Sequence, residues 1–281
     1  MQHTFSLHKI NHPEVFGFSA AAYSRFKFGD DAVAQKFGTD LAHQFIKQYL
    51  QHNPITTQIV VISSPYSFIP TATFALKNYF VFTLNRWLAH HNYAVVQETK
   101  VHRTVTYKED YGELNAEERM TLIGNDSFHI DKDFLTGKTL VFLDDIKITG
   151  SHERMINKML ETYQLKNEVH LLYFAELENK NIHPKIENYL NYFAVKSIFD
   201  LDPIIKKEQF LLNTRVVKYI LNADIDSFKV FLQNHTKSFT NLLYDLALGN
   251  GYHTIEAYQI NLNVLKLHIQ VCNETQILSG K

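Results

Sequence analysis

The chain has 281 residues with 45% hydrophobic content, and its 28 Lys and Arg residues nearly balance 29 Asp and Glu residues, leaving a formal net charge of −1. This composition excludes a disordered chain and gives no general electrostatic reason to expect a nucleic acid or an anionic membrane as partner. A single cysteine, Cys272, excludes an internal disulfide framework, and the lack of a signal peptide or an apolar segment of membrane length predicts a cytoplasmic protein.

The first thirty residues predict an N-terminal arm or a short strand. Within residues 23–30, Arg25 and Lys27 alternate with aromatic residues. On an extended chain both basic side chains would point to the same side, where they could contact an anionic ligand. A solvated basic edge is the alternative that this pattern leaves open.

Strand-loop-helix units follow, which is the order of a parallel α/β sheet. Apolar residues at four-residue spacing predict a helix from Asp31 to near Asn53. Residues 58–62 form a β-branched run, a Ser-Pro loop at 63–67 breaks it, and Pro70 begins a second helix. Residues 93–99 predict another strand. Alternating strands and helices imply right-handed parallel crossovers.

Residues 100–131 are polar and long for a connection inside a compact domain, which predicts a lid or a binding loop. Arg103 and Lys108 are its candidate cations, and His102 and Tyr107 are further candidates for ligand contact. An exposed hairpin or a small subdomain with ordinary surface charges is the alternative.

The most informative stretch is LVFLDDIKITGSHE, at residues 140–153. Its unbroken apolar run predicts a strand buried on both faces of a parallel sheet, and the loop after such a strand lies at the edge where open α/β sheets bind ligands. The adjacent carboxylates of Asp144 and Asp145 alternate in direction on a strand, and they require hydroxyl, cation or metal partners.

The loop after the acidic pair has the composition of a phosphate site. Thr149 and Ser151 supply hydroxyls, Gly150 allows a tight turn, and the helix that begins here presents free backbone N–H groups. Carboxylates beside such a loop fit a sugar phosphate, because they would bind its hydroxyls while the loop binds the phosphate. An acidic pair that binds Mg²⁺ or caps a helix in an unrelated α/β protein is the alternative.

This stretch resembles the phosphoribosyl pyrophosphate motif of type I phosphoribosyltransferases, in which four hydrophobic residues precede an acidic pair, a short spacer and a Thr-Gly turn. The resemblance is to a divergent bacterial member, and it implies a Rossmann-like parallel α/β domain at residues 31–200 with a lid at about 100–131. Residues 1–30 would be an arm or part of the hood.

The resemblance also implies roles for the site residues. Asp144 and Asp145 would bind the ribose hydroxyls, assist catalysis and offer oxygens to substrate-bound Mg²⁺. Arg103 and Lys108 of the lid would neutralise the pyrophosphate leaving group. The 5-phosphate loop would consist of Thr149, Gly150, Ser151 and His152, and the pyrophosphate loop of Ser63, Ser64, Pro65 and Tyr66.

Two positions depart from the family pattern. Ile148 stands where several members carry Thr, Ser or Asp, and His152 stands where many carry Thr. An Asp at the position of Ile148 helps to move a proton on the base in purine-salvage members. Its absence argues against hypoxanthine or guanine as the substrate.

The C-terminal part predicts helices only. Residues 168–174 predict a further strand, 182–190 a helix and 193–198 a last strand. After these, helix caps at Asn222 or Asp224 and at Thr254 separate apolar sets, which predicts a helical extension over residues 201–281. Such an extension could cover the site, form a homodimer or dock a partner.

The combined pattern predicts an enzyme that transfers a ribose 5-phosphate group from Mg²⁺-bound phosphoribosyl pyrophosphate to an unidentified acceptor, expected to react through nitrogen, and releases pyrophosphate. The alternative is a non-catalytic regulator that senses phosphoribosyl pyrophosphate and binds a partner through its helical part. Ile148 favours the regulator, whereas the Arg-bearing lid favours the enzyme. A dinucleotide or nucleoside-triphosphate site is disfavoured, because the chain has no Gly-x-Gly-x-x-Gly or Walker loop.

Overall fold

The computed structural model describes residues 1–103 and 128–279. The strands in this part of the chain are β1 (Gln2–Ile10), β2 (Ile59–Ser63), β3 (Gln97–Glu98), β4 (His102–Arg103), β5 (Phe128–His129), β6 (Thr139–Lys147) and β7 (Val169–Leu177). Five of them form one fully parallel sheet in the order β1-β7-β6-β2-β3, and β4 pairs with β5 in a separate antiparallel ladder.

Helices cover the sheet and continue beyond it. They are α1 (Ala20–Lys27), α2 (Asp31–Phe45), α3 (Ala72–His90), α4 (Lys132–Leu135), α5 (Ser151–Thr162), α6 (Ile186–Asn191), α7 (Asp202–Ile205), α8 (Thr214–Leu221), α9 (Ile225–Gln233), α10 (Lys237–Gly249) and α11 (Glu256–Ser279). The parallel sheet with flanking helices and a helical C-terminal region confirms the predicted fold class. No helix within the described residues is both long and apolar enough to span a lipid bilayer.

The apolar run of β6 is buried on both of its faces. Val141 and Leu143 pack with residues of α2 and α3, whereas Leu140 and Phe142 pack with residues of α5 on the other side. All four residues are at most 5% exposed. Because side chains alternate along a strand, one continuous apolar sequence fills two separate cores and fixes β6 in the middle of the sheet.

The N-terminal segment completes the sheet. β1 pairs in parallel with β7 from Gln2 to Ile10, so about half of the segment before α1 is an edge strand. Ser19 caps α1 by accepting a hydrogen bond from the Ala22 backbone N–H over 3.2 Å. The helix that this cap begins decides where the basic residues of the segment point.

Two short elements differ from the sequence predictions. The predicted strand at residues 193–198 is wrong, because the chain there forms a loop that leads into a 3₁₀ turn at Ile198–Leu201. Its apolar residues Val195 and Ile198 are buried among the C-terminal helices instead of pairing with the sheet. The strand predicted at residues 93–99 is reduced to β3 at the edge of the sheet.

The helical region has its own core but is fastened to the α/β part. Phe28 and Ile69 belong to the same apolar cluster as Phe228 and Phe231 of α9. Gly29, with a φ of +90°, accepts a backbone hydrogen bond from Leu211, and a β-carbon on it would lie 2.3 Å from the Leu211 carbonyl oxygen. Only glycine permits this contact.

A buried carboxylate reinforces the same junction. Asp30 is fully buried and lies 3.2 Å from Arg25 Nε and 2.5 Å from Lys207 Nζ. Arg25 belongs to α1 and Lys207 follows α7, so one charge holds an N-terminal helix and the C-terminal region together. An unpaired buried carboxylate would be costly, which makes the junction specific.

A polar cluster lies at the amino edge of the sheet, where its parallel strands begin. His170 is 2% exposed, stacks on His3 with ring centroids 5.1 Å apart and lies 3.2 Å from Glu168. Tyr49 donates a hydrogen bond to Glu168 over 2.6 Å. Burial lowers the pKa of His170 to about 4, with Glu168 opposing and His3 and the N-terminus assisting the shift. His170 is therefore neutral in the folded protein near pH 7.

We expect this histidine to make the protein less stable as the pH falls. The unfolded chain binds a proton at His170 below its ordinary pKa of about 6.5, whereas the folded chain binds it only near pH 4. The stabilisation that neutral His170 contributes is therefore present above pH 6.5 and is lost as the pH falls towards 4. We expect its loss to lower the free energy of unfolding by about 2 kcal/mol between pH 7 and pH 5. Urea unfolding of His170→Gln should show a correspondingly shallower pH dependence. His52→Gln, at an exposed site, should keep the wild-type slope, and equal slopes for all three proteins would contradict the assignment.

Candidate functional site

The acidic pair lies at the carboxyl edge of the sheet, beside the starts of α3 and α5. Asp144 and Asp145 are within β6, which continues to Lys147. A cavity of about 270 Å³ opens there. Residues that line it include Ser64, Thr73, residues 144–153, Lys27, Glu187 and Arg215. Side chains from the sheet, α1, α3, α6 and α8 therefore share one space.

The carboxylate of Asp145 is 7% exposed and is satisfied by the chain's own donors. Lys27 Nζ donates to Asp145 Oδ2 over 2.5 Å, and the Tyr23 hydroxyl donates to the same oxygen. Thr73 Oγ1 donates to Oδ1 over 3.1 Å. Burial and then the charge of Asp145 raise the pKa of Tyr23 well above its ordinary value, so the phenol remains a donor.

Asp144 shares the Thr73 hydroxyl with Asp145, at 3.4 Å from its Oδ1, and its other donors are different. Its Oδ1 accepts from Ser64 Oγ over 2.9 Å and from the Asp145 backbone N–H over 3.0 Å, and its Oδ2 lies 2.7 Å from His152 Nδ1. Burial alone would raise the pKa of Asp144. His152, and then Lys27 and Ser64, lower this pKa by more than burial raises it, so it lies well below its usual range. Asp144 is therefore an ionised acceptor at neutral pH.

The loop between β6 and α5 has the geometry of an anion site. Gly150 adopts the left-handed conformation, with a φ of +71°, immediately before the first residue of α5. Thr149 Oγ1 and Ser151 Oγ lie 2.7 Å apart, and Arg154 donates to the Thr149 carbonyl over 2.9 Å and to Ser151 Oγ over 3.0 Å. Two hydroxyls, the amino end of a helix and a guanidinium group therefore meet at this turn, which favours a phosphate.

Lys147 fixes the end of β6 where it enters the loop. Its Nζ lies 2.7 Å from Glu153 Oε2 on α5 and 3.2 Å from Glu176 Oε1 on β7. Burial lowers the pKa of Lys147, but the two carboxylates raise it more. The lysine thus remains charged and joins the loop, the following helix and the neighbouring strand.

The basic residues of the N-terminal segment diverge, and the predicted extended conformation is wrong. Arg25 and Lys27 lie on α1, where residues two apart are separated by about 200° around the axis. Arg25 binds Asp30 and does not line the cavity, whereas Lys27 reaches Asp145 inside it.

The other predicted residues also fall into different places. Ser64 and Pro65 line the cavity, while Ser63 ends β2 and Tyr66 packs against Phe74 and Lys100 outside it. Thr149, Gly150, Ser151 and His152 all line the cavity. Of the lid candidates, the structure gives only the backbone pairing of His102 and Arg103 in β4, and Tyr107 and Lys108 lie outside the described residues.

Several cavity residues were not predicted from the sequence. Thr73 could have been found, because it lies in the first turn of the helix that follows the Ser-Pro loop. Tyr23 is an ordinary aromatic residue in the sequence. Glu187 and Arg215 come from helices in which the sequence marked no site residue, so only the tertiary packing reveals them.

A comparison with family models identifies the family of this chain. A family model described as "PRTase ComF-like", where PRTase denotes phosphoribosyltransferase, matches residues 1–265. The chain belongs to the PRTase ComF-like family. The phosphoribosyltransferase relationship predicted from residues 140–153 is thereby confirmed. The comparison with curated proteins gives no match.

Solved structures similar to this PRTase ComF-like chain include hypoxanthine and adenine phosphoribosyltransferases at low identity. A hypoxanthine phosphoribosyltransferase from Staphylococcus aureus is 11% identical over 52% of this chain and 74% of its own, with a TM-score of 0.31. The hypoxanthine phosphoribosyltransferase of Trypanosoma cruzi is 17% identical over 54% of this chain and 77% of its own, with a TM-score of 0.31. An adenine phosphoribosyltransferase is 17% identical over 52% and 71%, with a TM-score of 0.30.

The predicted Mg²⁺ fits this site only in part. Carboxylate oxygens are the ligands that Mg²⁺ prefers, and Asp144 supplies one set. The ammonium group of Lys27, 2.5 Å from Asp145 Oδ2, takes the place of a cation at the second carboxylate. Within residues 1–103 and 128–279, no group of three or more His, Cys, Asp or Glu side chains is arranged to hold a metal. A metal carried by the substrate and facing Asp144 is the arrangement that these residues allow.

The pair of Lys27 and Asp145 should be important for stability because both groups are nearly buried, at 12% and 7% exposure. We expect Lys27→Met to lower the free energy of unfolding by about 3–5 kcal/mol, since it leaves a carboxylate without its charge partner. Adding Asp145→Asn to this variant should restore part of the loss. Urea unfolding of the two single variants and the double variant measures the coupling.

The matched control is the exposed pair of Lys36 and Asp40, at 70% and 43% exposure. Lys36→Met should change the free energy of unfolding by less than about 1 kcal/mol. A loss in Lys27→Met no larger than that in Lys36→Met would contradict the structural role of the buried pair.

Proposed function

We propose that the protein is a phosphoribosyltransferase that binds phosphoribosyl pyrophosphate with Mg²⁺ and transfers its ribose 5-phosphate group to a nitrogen nucleophile. The observation that supports this most directly is the shared cavity. An acidic pair at the carboxyl edge of a parallel sheet and a hydroxyl-bearing turn at the start of α5 line the same space. Membership of the PRTase ComF-like family supports the same reaction class.

In this proposal each part of the substrate has a partner of suitable chemistry. The turn from Thr149 to His152 binds the 5-phosphate, because its hydroxyls and the helix terminus favour a dianion. The ionised carboxylate of Asp144 accepts hydrogen bonds from ribose hydroxyls. Ser64 and Pro65 lie next to it in the cavity and face the pyrophosphate.

The reaction requires no nucleophile from the protein. The acceptor nitrogen forms a bond to the anomeric carbon while the bond from that carbon to the pyrophosphate oxygen breaks. Pyrophosphate leaves with the electron pair, and the proton lost by the nitrogen passes to pyrophosphate or water. Mg²⁺ bound to the substrate would neutralise part of the pyrophosphate charge. The ionised Asp144 stabilises the positive charge that develops on the ribose, and the site holds the reactants in position.

Removing the acidic pair should abolish substrate binding. We expect the Asp144→Asn, Asp145→Asn double variant to bind phosphoribosyl pyrophosphate and Mg²⁺ at least about 100-fold more weakly, because hydrogen bonds to charged groups contribute about 1.5–3 kcal/mol each. Isothermal titration calorimetry measures the affinity. Asp144→Asn alone should lose most of this affinity, and it leaves the ion pair of Lys27 and Asp145 in place.

Asp133→Asn, at an exposed acidic residue on α4, is the matched control and should bind like the wild type. Circular dichroism of each variant shows whether the fold is retained. Wild-type affinity in a folded Asp144→Asn variant would rule out the assignment of the acidic pair, and a wild-type protein that does not bind phosphoribosyl pyrophosphate would rule out the function.

A sensor without catalysis is the second candidate function, and one observation favours it. Ile148 is 5% exposed and packs in the hydrophobic core, so the loop position that carries a carboxylate in purine-salvage enzymes has no proton-transfer group here. Pyrophosphate release distinguishes the two candidates. Turnover with any acceptor from a panel of nitrogen heterocycles supports the enzyme, whereas tight binding with no release for every acceptor supports the sensor.

A further inference from the structure

Arg215 reaches the cavity because the start of α8 is bound to the α/β part. The buried Asn213 caps α8, its Oδ1 accepting from the Val216 backbone N–H over 3.0 Å. The same side chain donates through Nδ2 to the Lys27 carbonyl over 3.1 Å. The residue that begins the helix is therefore fixed to the residue whose ammonium group binds Asp145.

A second set of hydrogen bonds fixes the first turn of α8 from the opposite side. Thr214 Oγ1 donates to the Ile69 carbonyl over 2.6 Å, and the Thr214 backbone N–H donates to the Pro70 carbonyl over 2.9 Å. Ile69 and Pro70 connect the loop after β2 to α3. Arg215, the next residue, is thus held between α1 and this connection and not on a free helical surface.

The guanidinium group of Arg215 contacts an aromatic residue, and an acidic residue lines the same cavity. Arg215 Nη1 lies 3.3 Å from the Tyr192 hydroxyl, and its guanidinium carbon lies 5.5 Å from the centre of the Tyr192 ring. Glu187, on α6, lines the same cavity. After burial and Asp145, the charge of Glu187 raises and that of Arg215 lowers the pKa of Tyr23, so both charges lie near the phenol that binds Asp145.

We propose that Glu187 and Arg215 form the acceptor subsite and select a planar nitrogen compound by one polar edge. The carboxylate of Glu187 accepts a hydrogen bond from an N–H group, and the guanidinium of Arg215 donates to a neighbouring carbonyl or carboxylate oxygen. The inference rests on the proposed phosphoribosyl transfer and adds the substrate class to it.

The position of Glu187 distinguishes this role from phosphate binding. A carboxylate beside a pyrophosphate or a 5-phosphate would repel it, and the turn at residues 149–152 with Ser64 already offers hydroxyls and backbone donors for phosphate. A guanidinium and a carboxylate that line one cavity instead complement a ligand that offers both a donor and an acceptor. A lactam, or an N–H group beside a carboxylate, offers both.

A subsite of this kind should discriminate strongly against acceptors that lack the carbonyl or carboxylate oxygen. An acceptor without it forfeits the charge-assisted hydrogen bond from Arg215, and enzymes whose sites are built to hydrogen-bond a substrate group reject the analogue that lacks this group by several powers of ten. We expect pyrophosphate release with lactam or carboxylate heterocycles to exceed that with the matched oxygen-free analogues by at least about 100-fold.

The test compares Arg215→Gln, Arg215→Lys and Glu187→Gln with the wild type in two measurements. Titration with phosphoribosyl pyrophosphate and Mg²⁺ should give affinities within about threefold of the wild type for all variants, because neither residue binds phosphate. In pyrophosphate release with the preferred acceptor, Arg215→Gln should lower kcat/KM about 10- to 100-fold, mainly through a higher KM. Arg215→Lys should restore only part of this, since lysine keeps the charge but lacks the planar pair of donors.

Lys218→Gln, on the same helix but outside the cavity lining, and Glu208→Gln, at an exposed site, are the matched controls and should keep the wild-type kcat/KM. The proposal is overturned if oxygen-free acceptors react equally well, if Arg215→Gln weakens phosphoribosyl pyrophosphate binding instead, or if no lactam or carboxylate heterocycle binds to or reacts with the protein loaded with phosphoribosyl pyrophosphate. Failure of the wild type to bind phosphoribosyl pyrophosphate overturns the proposed function itself and is seen separately in the first titration.

Discussion

The buried charge of Asp145 is the constraint on which the arrangement of the site depends. This carboxylate lies in the central strand of the sheet and is almost completely removed from water, so its partners must come from the protein. Lys27 and Tyr23 arrive from α1 and Thr73 from α3. α1, β6 and α3 must therefore pack together before the carboxylate of Asp145 has its partners. The place where they meet is the floor of the cavity.

The two carboxylates of the pair have different tasks because they alternate across β6. Asp145 is held by internal donors and acts mainly as a structural charge that positions Lys27. Asp144 is ionised and is bound by a serine, a backbone N–H and a histidine, all of which are at or near the cavity surface. Ligand hydroxyls can replace such donors at little cost, whereas displacing Lys27 would expose a buried charge. In the proposed function, Asp144 is therefore the residue of the pair that serves the ligand, and Asp145 is the one that serves the fold.

The sequence predicted those parts of the fold that depend on local pattern. The unbroken apolar run of β6, the acidic pair and the Thr-Gly turn were sufficient for the buried strand, its position in a parallel sheet and the tight turn before α5, because each is specified by neighbouring residues. Arg25 and Lys27 were misjudged because alternation suggested a strand, whereas Ser19 caps a helix. Residues 193–198 were misjudged because a short apolar run fits a strand and a buried loop equally well, and only the neighbouring helical core decides.

The helical C-terminal region is better understood as part of the site than as an appendage. Its sequence shows amphipathic helices with ordinary caps, and nothing in the pattern of α8 indicates which structure its first turn will contact. The decisive interactions are individually small: an asparagine bound to the Lys27 carbonyl, and a threonine bound to two carbonyls before α3. These hydrogen bonds fix the first turn of α8 to the α/β part. The buried Asp30 binds Lys207 and so fastens the chain before α8 to the same part. Because Lys27 is bound to Asp145 at one end and to Asn213 at the other, a displacement of the helical region would be transmitted directly to the acidic pair.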